Sequence, residues 1–233
     1  MLEIGIIIAD SDEYKPLAER LKGISKETLI AGRTANIFTV NDGGKEAQVT
    51  SVLCGIGKVN AAVASTALAE QGVDIILNYG LSGGISGVAR NDIVVPNRFL
   101  EHDFDLTGIG YKLCEKPNQE YVFEADKQVL DIVVSLFENA KTGTAVTGDC
   151  FVQSDEKRDL LKKEFSAACC DMETAAIAYV CATYSVKFAS IRKISDDAGN
   201  DAGALYREIN ALSQKDMIDK LYAVIGKLVQ KMA

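Results

Sequence analysis

Short apolar runs alternate with helical patterns along this chain. IGIIIAD (4–10) is a fully apolar run closed by an acid, which predicts a buried strand. EYKPLAERLKG then sets Leu17 and Leu21 at helical spacing, with Gly23 as a stop signal. NIFTVN and EAQVTSVLC predict a hairpin across the DGG turn at 42–44. GKVNAAVASTALAEQG predicts a helix of small residues ending at Gly72. VDIILNYG, DIVVPNRFLE, TGTAVTGDCFV and KFASIRKIS predict the second to fifth strands, with SDEKRDLLKKEF as a solvated helix after the fourth. Ala175 to Cys181 reads as a buried helix leading into the fifth strand. Residues 207–231 read as a terminal amphipathic helix, with Ile209, Leu212, Met217, Leu221 and Ile225 among its apolar positions.

Apolar strands alternating with helices predict one α/β domain over 1–233, with a mixed or mainly parallel sheet covered on both faces. In such sheets ligands sit at the carboxyl ends of the strands. Acids and glycines gather there: Asp10, Asp12 and Glu13 after the first strand, GLSGG after the second, SDDAGNDAG after the fifth. CGIGKVNAA (54–62) suggests a phosphate cradle, but it has neither the P-loop spacing nor GxGxxG, since Asn60 takes the third glycine's place. Read alone it is a tight strand-to-helix turn, and GLSGG alone identifies no ligand.

Composition narrows the class. The 233 residues are 48% hydrophobic and 25% charged, the balance of an ordinary globule. A net charge of −8 argues against a nucleic-acid or anionic-membrane surface but leaves an uncharged nucleoside open. No apolar run approaches the ~20 residues that span a bilayer. Met1 is followed at once by strand-like LEIGIIIAD rather than a secretory signal, so a cytoplasmic protein with reduced thiols is expected. The six cysteines form no CxxC pair and His102 is the single histidine, which argues against a metal site.

Charge inside an apolar pattern is the main clue to chemistry. CCDMETAAIAYVC (169–181) opens a buried helix with Asp171 and Glu173. An unpaired charge there is costly, so it pairs, caps or works. Asp171 reads as a cap; Glu173 reads as a first-turn acid favoured by the helix dipole, or as a group facing a ligand. Read alone, Glu13 is also a first-turn acid, Asp196 a strand-end turn residue, Phe151 a core aromatic, Arg192 a surface strand residue and His102 a structural hydrogen-bonding group.

Six segments in order are more specific: CGIGKVNAA, NYGLSGG (78–84), HDFDLTGIGY (102–111), GDCFV (148–152), DMETAAIAYVC (171–181) and RKISDDA (192–198). By these the chain resembles the nucleoside phosphorylase and hydrolase superfamily, and most of all the 5′-methylthioadenosine/S-adenosylhomocysteine nucleosidases, over nearly its whole length. The resemblance implies a twisted central sheet flanked by helices, a homodimer, no cofactor, and hydrolysis of the N-glycosidic bond of an adenine nucleoside. A phosphate-dependent phosphorylase and a non-catalytic nucleoside binder are the alternatives.

It also implies roles. Glu13 matches the acid that orients and deprotonates the attacking water, Asp196 the acid that passes a proton to purine N7, and Arg192 a cation near that water. Phe151 matches the aromatic that stacks on the base, and Val152 the residue whose backbone reads the adenine edge. Met172 and Glu173 match the ribose clamp, Ser195 and Ile56 further substrate contacts. Leu106 and Ile109 match positions that cover the neighbouring subunit's substrate. The chain departs from the family at Leu81, where a serine is common; at Asp10, where a methionine is common; and at Ile109, where an aromatic is common. Ser82, one place after Leu81, is the candidate substitute hydroxyl. A wider or more polar pocket for the 5′ group is expected from these changes.

Overall fold

The computed structural model describes residues 1–210 and 215–233. Three buried strands organise it: β1 (Leu2–Ile8), β5 (Ile75–Gly84) and β11 (Lys187–Asp196). Nearly all their residues are buried, as parallel strands covered on both faces are. β5 pairs in parallel with β1 on one edge and with β11 on the other.

Beyond β1 lies β4 (Lys45–Leu53), parallel to it, and then the antiparallel strands β3 (Arg33–Asp42) and β2 (Lys26–Ile30). The expected hairpin is β3–β4, with Asp42 opposite Lys45. Gly43 and Gly44 both adopt positive φ (60° and 77°), the two-residue turn whose twist suits adjacent strands. On the same edge of β5 as β1, past the point where β1 ends, comes β10 (Ala167–Asp171), antiparallel to β5, followed by β9 (Thr144–Thr147), β7 (Arg98–Glu101) and β8 (Val122–Glu124). The short β6 (Ile93–Val94) pairs with β11. Eleven strands thus form one mixed sheet among the described residues.

Helices cover both faces. α1 (Ser11–Leu21), α3 (Lys127–Val134) and α7 (Lys215–Met232) bury Leu17, Leu21, Val129, Leu221 and Ile225 against one face. α2 (Lys58–Glu70) and α5 (Thr174–Tyr184) bury Ala61, Ala64, Leu68, Ala175 and Ile177 against the other. Their alanines let helix and sheet approach closely: a Cβ on Gly5 of β1 would stand 2.9 Å from Leu68 Cδ1. α4 (Asp155–Phe165) is the solvated helix the pattern indicated, burying only Leu161 among its described side chains. α6 (Ala202–Asn210) packs beside β11.

Two expectations change. DIVVPNRFLE is not one strand but β6 and β7, interrupted at Val95–Asn97. Pro96 has no N–H to offer a ladder and restricts the residue before it. The 207–231 helix is represented by α6, which begins earlier, and by α7; Leu212 lies outside the described residues. No helix among the described residues is long and apolar enough to cross a membrane.

Candidate active site

β5 loses one neighbour partway along. It pairs with β1 as far as Asn78 and with β10 only from Gly83. Leu81 directs its amide and carbonyl into the interval between. The Leu81 N–H donates to Glu13 Oε1 at 2.9 Å, and the Leu81 carbonyl accepts from Arg192 Nη2. Two side chains therefore take the place of a neighbouring strand. A cavity opens at this point, at the carboxyl end of the sheet.

Glu13 reaches it from the first turn of α1, whose start is capped by Asp10 Oδ1 accepting from the Asp12 and Glu13 amides. Gly80 is required beneath it: a Cβ there would stand 2.8 Å from Arg192 Nη1 and 2.9 Å from Glu13 Oε2. Burial pushes the Glu13 carboxyl up to about 8, against the pull of Arg192 and the Leu81 amide.

Arg192 comes from β11 and is buried. Its Nε donates to Ser82 Oγ at 2.7 Å and its Nη1 to Asn78 Oδ1 at 3.0 Å. Asn78 Oδ1 also accepts from Thr174 Oγ1 and Ser190 Oγ, so this one amide gathers β5, α5 and β11. Burial opposes the guanidinium charge, and Asp171, Glu173 and Glu13 more than offset it.

Asp171 closes β10. Its Oδ1 accepts from the Glu173 and Thr174 amides at 3.1 and 3.0 Å and from Thr147 Oγ1 at 2.7 Å. It therefore caps α5, and its Oδ2 stands 3.7 Å from Arg192 Nε as a buried counter-ion. Glu173 has turned away from that cap. Its Oε1 accepts from the Gly57 amide at the start of α2, at 2.9 Å. Burial raises the Glu173 carboxyl to about 7, with Arg192 opposing and Asp171 adding to the rise.

Asp196 ends β11 on the far side of the cavity. Its Oδ2 lies 2.6 Å from Ser195 Oγ, and its Oδ1 accepts from the Ala198 amide at 2.9 Å. Burial raises its pKa, while those two hydrogen bonds work the other way and Asp197 adds a smaller upward push. Phe151 is 41% exposed at the rim and meets Tyr206 edge to face at 5.6 Å; Val152 behind it is buried.

Glu13, Ile56, Phe151, Val152, Met172, Glu173, Arg192, Ser195 and Asp196 thus all line one cavity. Leu106 and Ile109 do not; they lie on a loop around a short 3₁₀ turn, where Ile109 is 73% exposed. Leu81 lines the cavity with its side chain, and the Ser82 hydroxyl beside it is engaged by Arg192. His102 is buried, yet neither ring nitrogen has a hydrogen-bond partner among the described residues, so the hydrogen-bonding role considered for it is absent here. Asn78 and Tyr206 were not singled out in the sequence. Asn78 sits in a strand that reads as core, and Tyr206 just before the expected terminal helix. Among the described residues no cluster of histidine, cysteine and carboxylate suits a metal ion.

Comparison with known proteins places this geometry. The profile of the phosphorylase superfamily matches residues 3–230. A 5′-methylthioadenosine/S-adenosylhomocysteine nucleosidase from Haemophilus influenzae is 33% identical over 94% of this chain and 100% of its own. One from Shewanella halifaxensis is 36% identical over 86% of this chain and 89% of its own. The crystal structure of the Streptococcus pneumoniae nucleosidase in complex with 8-aminoadenine superposes with a TM-score of 0.87 at 30% identity, covering 97% of this chain and 100% of that one. The chain belongs to the phosphorylase superfamily and, within it, to the family of the 5′-methylthioadenosine/S-adenosylhomocysteine nucleosidases.

Proposed function

We propose that this protein hydrolyses the N-glycosidic bond of an adenine nucleoside of the 5′-methylthioadenosine or S-adenosylhomocysteine type, releasing adenine and a 5-substituted ribose. One observation carries the reading: Glu13, Glu173 and Asp196, distant in sequence, are all buried around a single cavity. Bond cleavage builds an oxocarbenium-like sugar and needs a neutral leaving base. Two carboxyl groups on opposite sides of the breaking bond meet those needs, as in glycoside hydrolysis. Asp196, raised by burial, is suited to deliver a proton to purine N7. Glu13, opposite, accepts the proton of the attacking water, which Arg192 helps to hold. General acid and base steps of this kind each contribute ~10²–10⁴-fold.

Glu173 accepts from the two ribose hydroxyls, and Met172 packs against the sugar. Such charge-assisted bonds are worth ~1.5–3 kcal/mol each. Phe151 stacks on the base, the Val152 backbone reads its edge, and Ser195 and Ile56 complete the contact surface. Water is favoured over phosphate as acceptor on grounds of charge. Arg192 is the one cation among the described residues lining the cavity, it is already engaged by Ser82, Asn78 and the Leu81 carbonyl, and the first loop beside it, with Asp10 and Asp12, is acidic.

The reading extends to the whole chain acting as one domain and one homodimer subunit in the cytoplasm, within methionine salvage. Exposed Val59, Val63 and Ile109 support the dimer, as apolar surface for a second copy to cover. The test is incubation with 5′-methylthioadenosine in buffer with and without inorganic phosphate, with both products identified. Free adenine and a non-phosphorylated sugar are expected in either buffer. A strict requirement for phosphate, with 5-methylthioribose 1-phosphate as product, would overturn hydrolysis.

A further inference from the structure

The start of α2 holds two carboxylates on consecutive amides. The Gly57 N–H donates to Glu173 Oε1 at 2.9 Å, and the next N–H, that of Lys58, donates to Asp149 Oδ1 at 2.8 Å. Gly57 offers no capping side chain and sits at φ 100°, where a Cβ would stand 3.0 Å from Asp149 Oδ1. Free amides at a helix start favour carboxylates through both hydrogen bonding and the helix dipole. One of these carboxylates belongs to the sugar side of the cavity. The other belongs to the segment that carries Phe151 and Val152.

The second grip is closed into a ring. The Asp149 N–H donates to Asp103 Oδ2 at 2.8 Å, and Asp103 Oδ1 accepts from Lys58 Nζ at 2.6 Å. Lys58 thus holds Asp149 twice, directly through its amide and indirectly through its ammonium group. Glu101 fixes that ammonium from the other side, 2.7 Å from Nζ, and is itself paired with Lys116. Asp149 does not line the cavity, whereas its neighbours Cys150, Phe151 and Val152 do.

We infer that Asp149 is a positioning residue: clamped by Lys58 and Asp103, it sets the Phe151 ring at a fixed offset from Glu173. The distance between the base wall and the sugar carboxylate is then built into one helix start rather than left to a free loop. This goes beyond the roles proposed above and rests on them only for Phe151 facing the base.

The experiment measures the KM of the nucleoside, and the affinity for free adenine by calorimetry, in Asp149→Ala, Asp149→Asn, Phe151→Ala and the double variant Asp149→Ala/Phe151→Ala. Asp149→Ala is expected to raise KM and the adenine Kd about threefold to tenfold while kcat stays within about threefold. Asp149→Asn should restore most of the loss, because its amide oxygen still accepts from the Lys58 N–H. In the Phe151→Ala background, Asp149→Ala should cost less than about twofold, since it acts through a ring no longer present. Asp103→Ala provides a second route to the same displacement if Asp149→Ala folds poorly. Losses that multiply in the double variant, or unchanged adenine affinity in Asp149→Ala, would overturn the inference. The adenine arm reads the result even if no nucleoside is cleaved, an outcome that would sink the proposed function instead.

Discussion

Glu13 stores a cost that changes with pH. Its carboxyl is pushed from 4.5 to about 8 by burial, so the folded state holds a proton that the unfolded chain has released. Between those two values the unfolded state binds fewer protons, and stability must fall as pH rises. A Gln at this position keeps the oxygen for the Leu81 amide and carries no charge. Glu13→Gln is therefore expected to be more stable than the natural chain at pH 9, by a few kcal/mol on the order given by linkage, with the gap closing near pH 4.5. Thermal melts at the two pH values check this; a gap that does not depend on pH would contradict it. The same carboxyl must be ionised to accept a proton from water. Because Asp196 must be protonated while Glu13 is ionised, the pH profile of kcat/KM is expected to carry one limb set by each, and Glu13→Gln to lose the limb that Glu13 sets; a profile of unchanged shape in Glu13→Gln would argue against Glu13 as the base. Single residues were the least legible level of the sequence. Glu13 and Asp196 taken alone look like a helix acid and a turn residue. Only the family resemblance carried by six ordered segments, one of which holds Asp196, singles them out. Asn78 opens the NYGLSGG segment, but nothing local indicates that its amide would gather Arg192, Thr174 and Ser190 from distant elements.

At the scale of elements, the site exists because β5 continues past β1 before it meets β10. The Leu81 amide and carbonyl, freed from strand pairing there, are taken by Glu13 and Arg192. Gly80 leaves the room. Gly80→Ala should displace Glu13 and Arg192, cut adenine release by about 10²-fold, the usual effect of a small misplacement, and lower the melting temperature, since overpacking a core costs ~1–3 kcal/mol. Activity within threefold of the natural chain would refute this. Asp171 joins β10, α5 and Arg192. Asp171→Ala removes a cap and leaves a buried guanidinium less compensated, so a loss of ~3–5 kcal/mol in chemical denaturation is expected, against ~0.5–2 kcal/mol if the residue were a cap alone. Strong periodicity made β1, β5, β11 and the β3–β4 hairpin readable. β10, AACCD, escaped because small residues carry little strand signal. The β6–β7 break escaped because an apolar run was allowed to outweigh Pro96.

On the scale of the whole molecule, the mixed sheet brings residues 13, 173 and 196 to one end although they lie far apart in the chain. Val59 and Ile109 are left exposed on the surface, and the proposed dimer would cover them. Sedimentation is expected to give twice the chain mass, and Val59→Glu with Ile109→Glu to give the monomer; a monomeric natural chain would remove the dimer. The pattern of strands and helices made the architecture legible, but which of its acids converge depends on where β5 parts from β1, and no local signal encodes that. The most direct measurement is adenine release from 5′-methylthioadenosine in phosphate-free buffer by the natural chain and by Glu13→Gln, Glu173→Gln and Asp196→Asn. Steady release by the natural chain is expected, with at least about a hundredfold loss in the Glu13 and Asp196 variants and a smaller loss, mainly in KM, for Glu173. Release that survives both Glu13→Gln and Asp196→Asn undiminished would contradict the claim that these carboxyl groups act on one bound nucleoside.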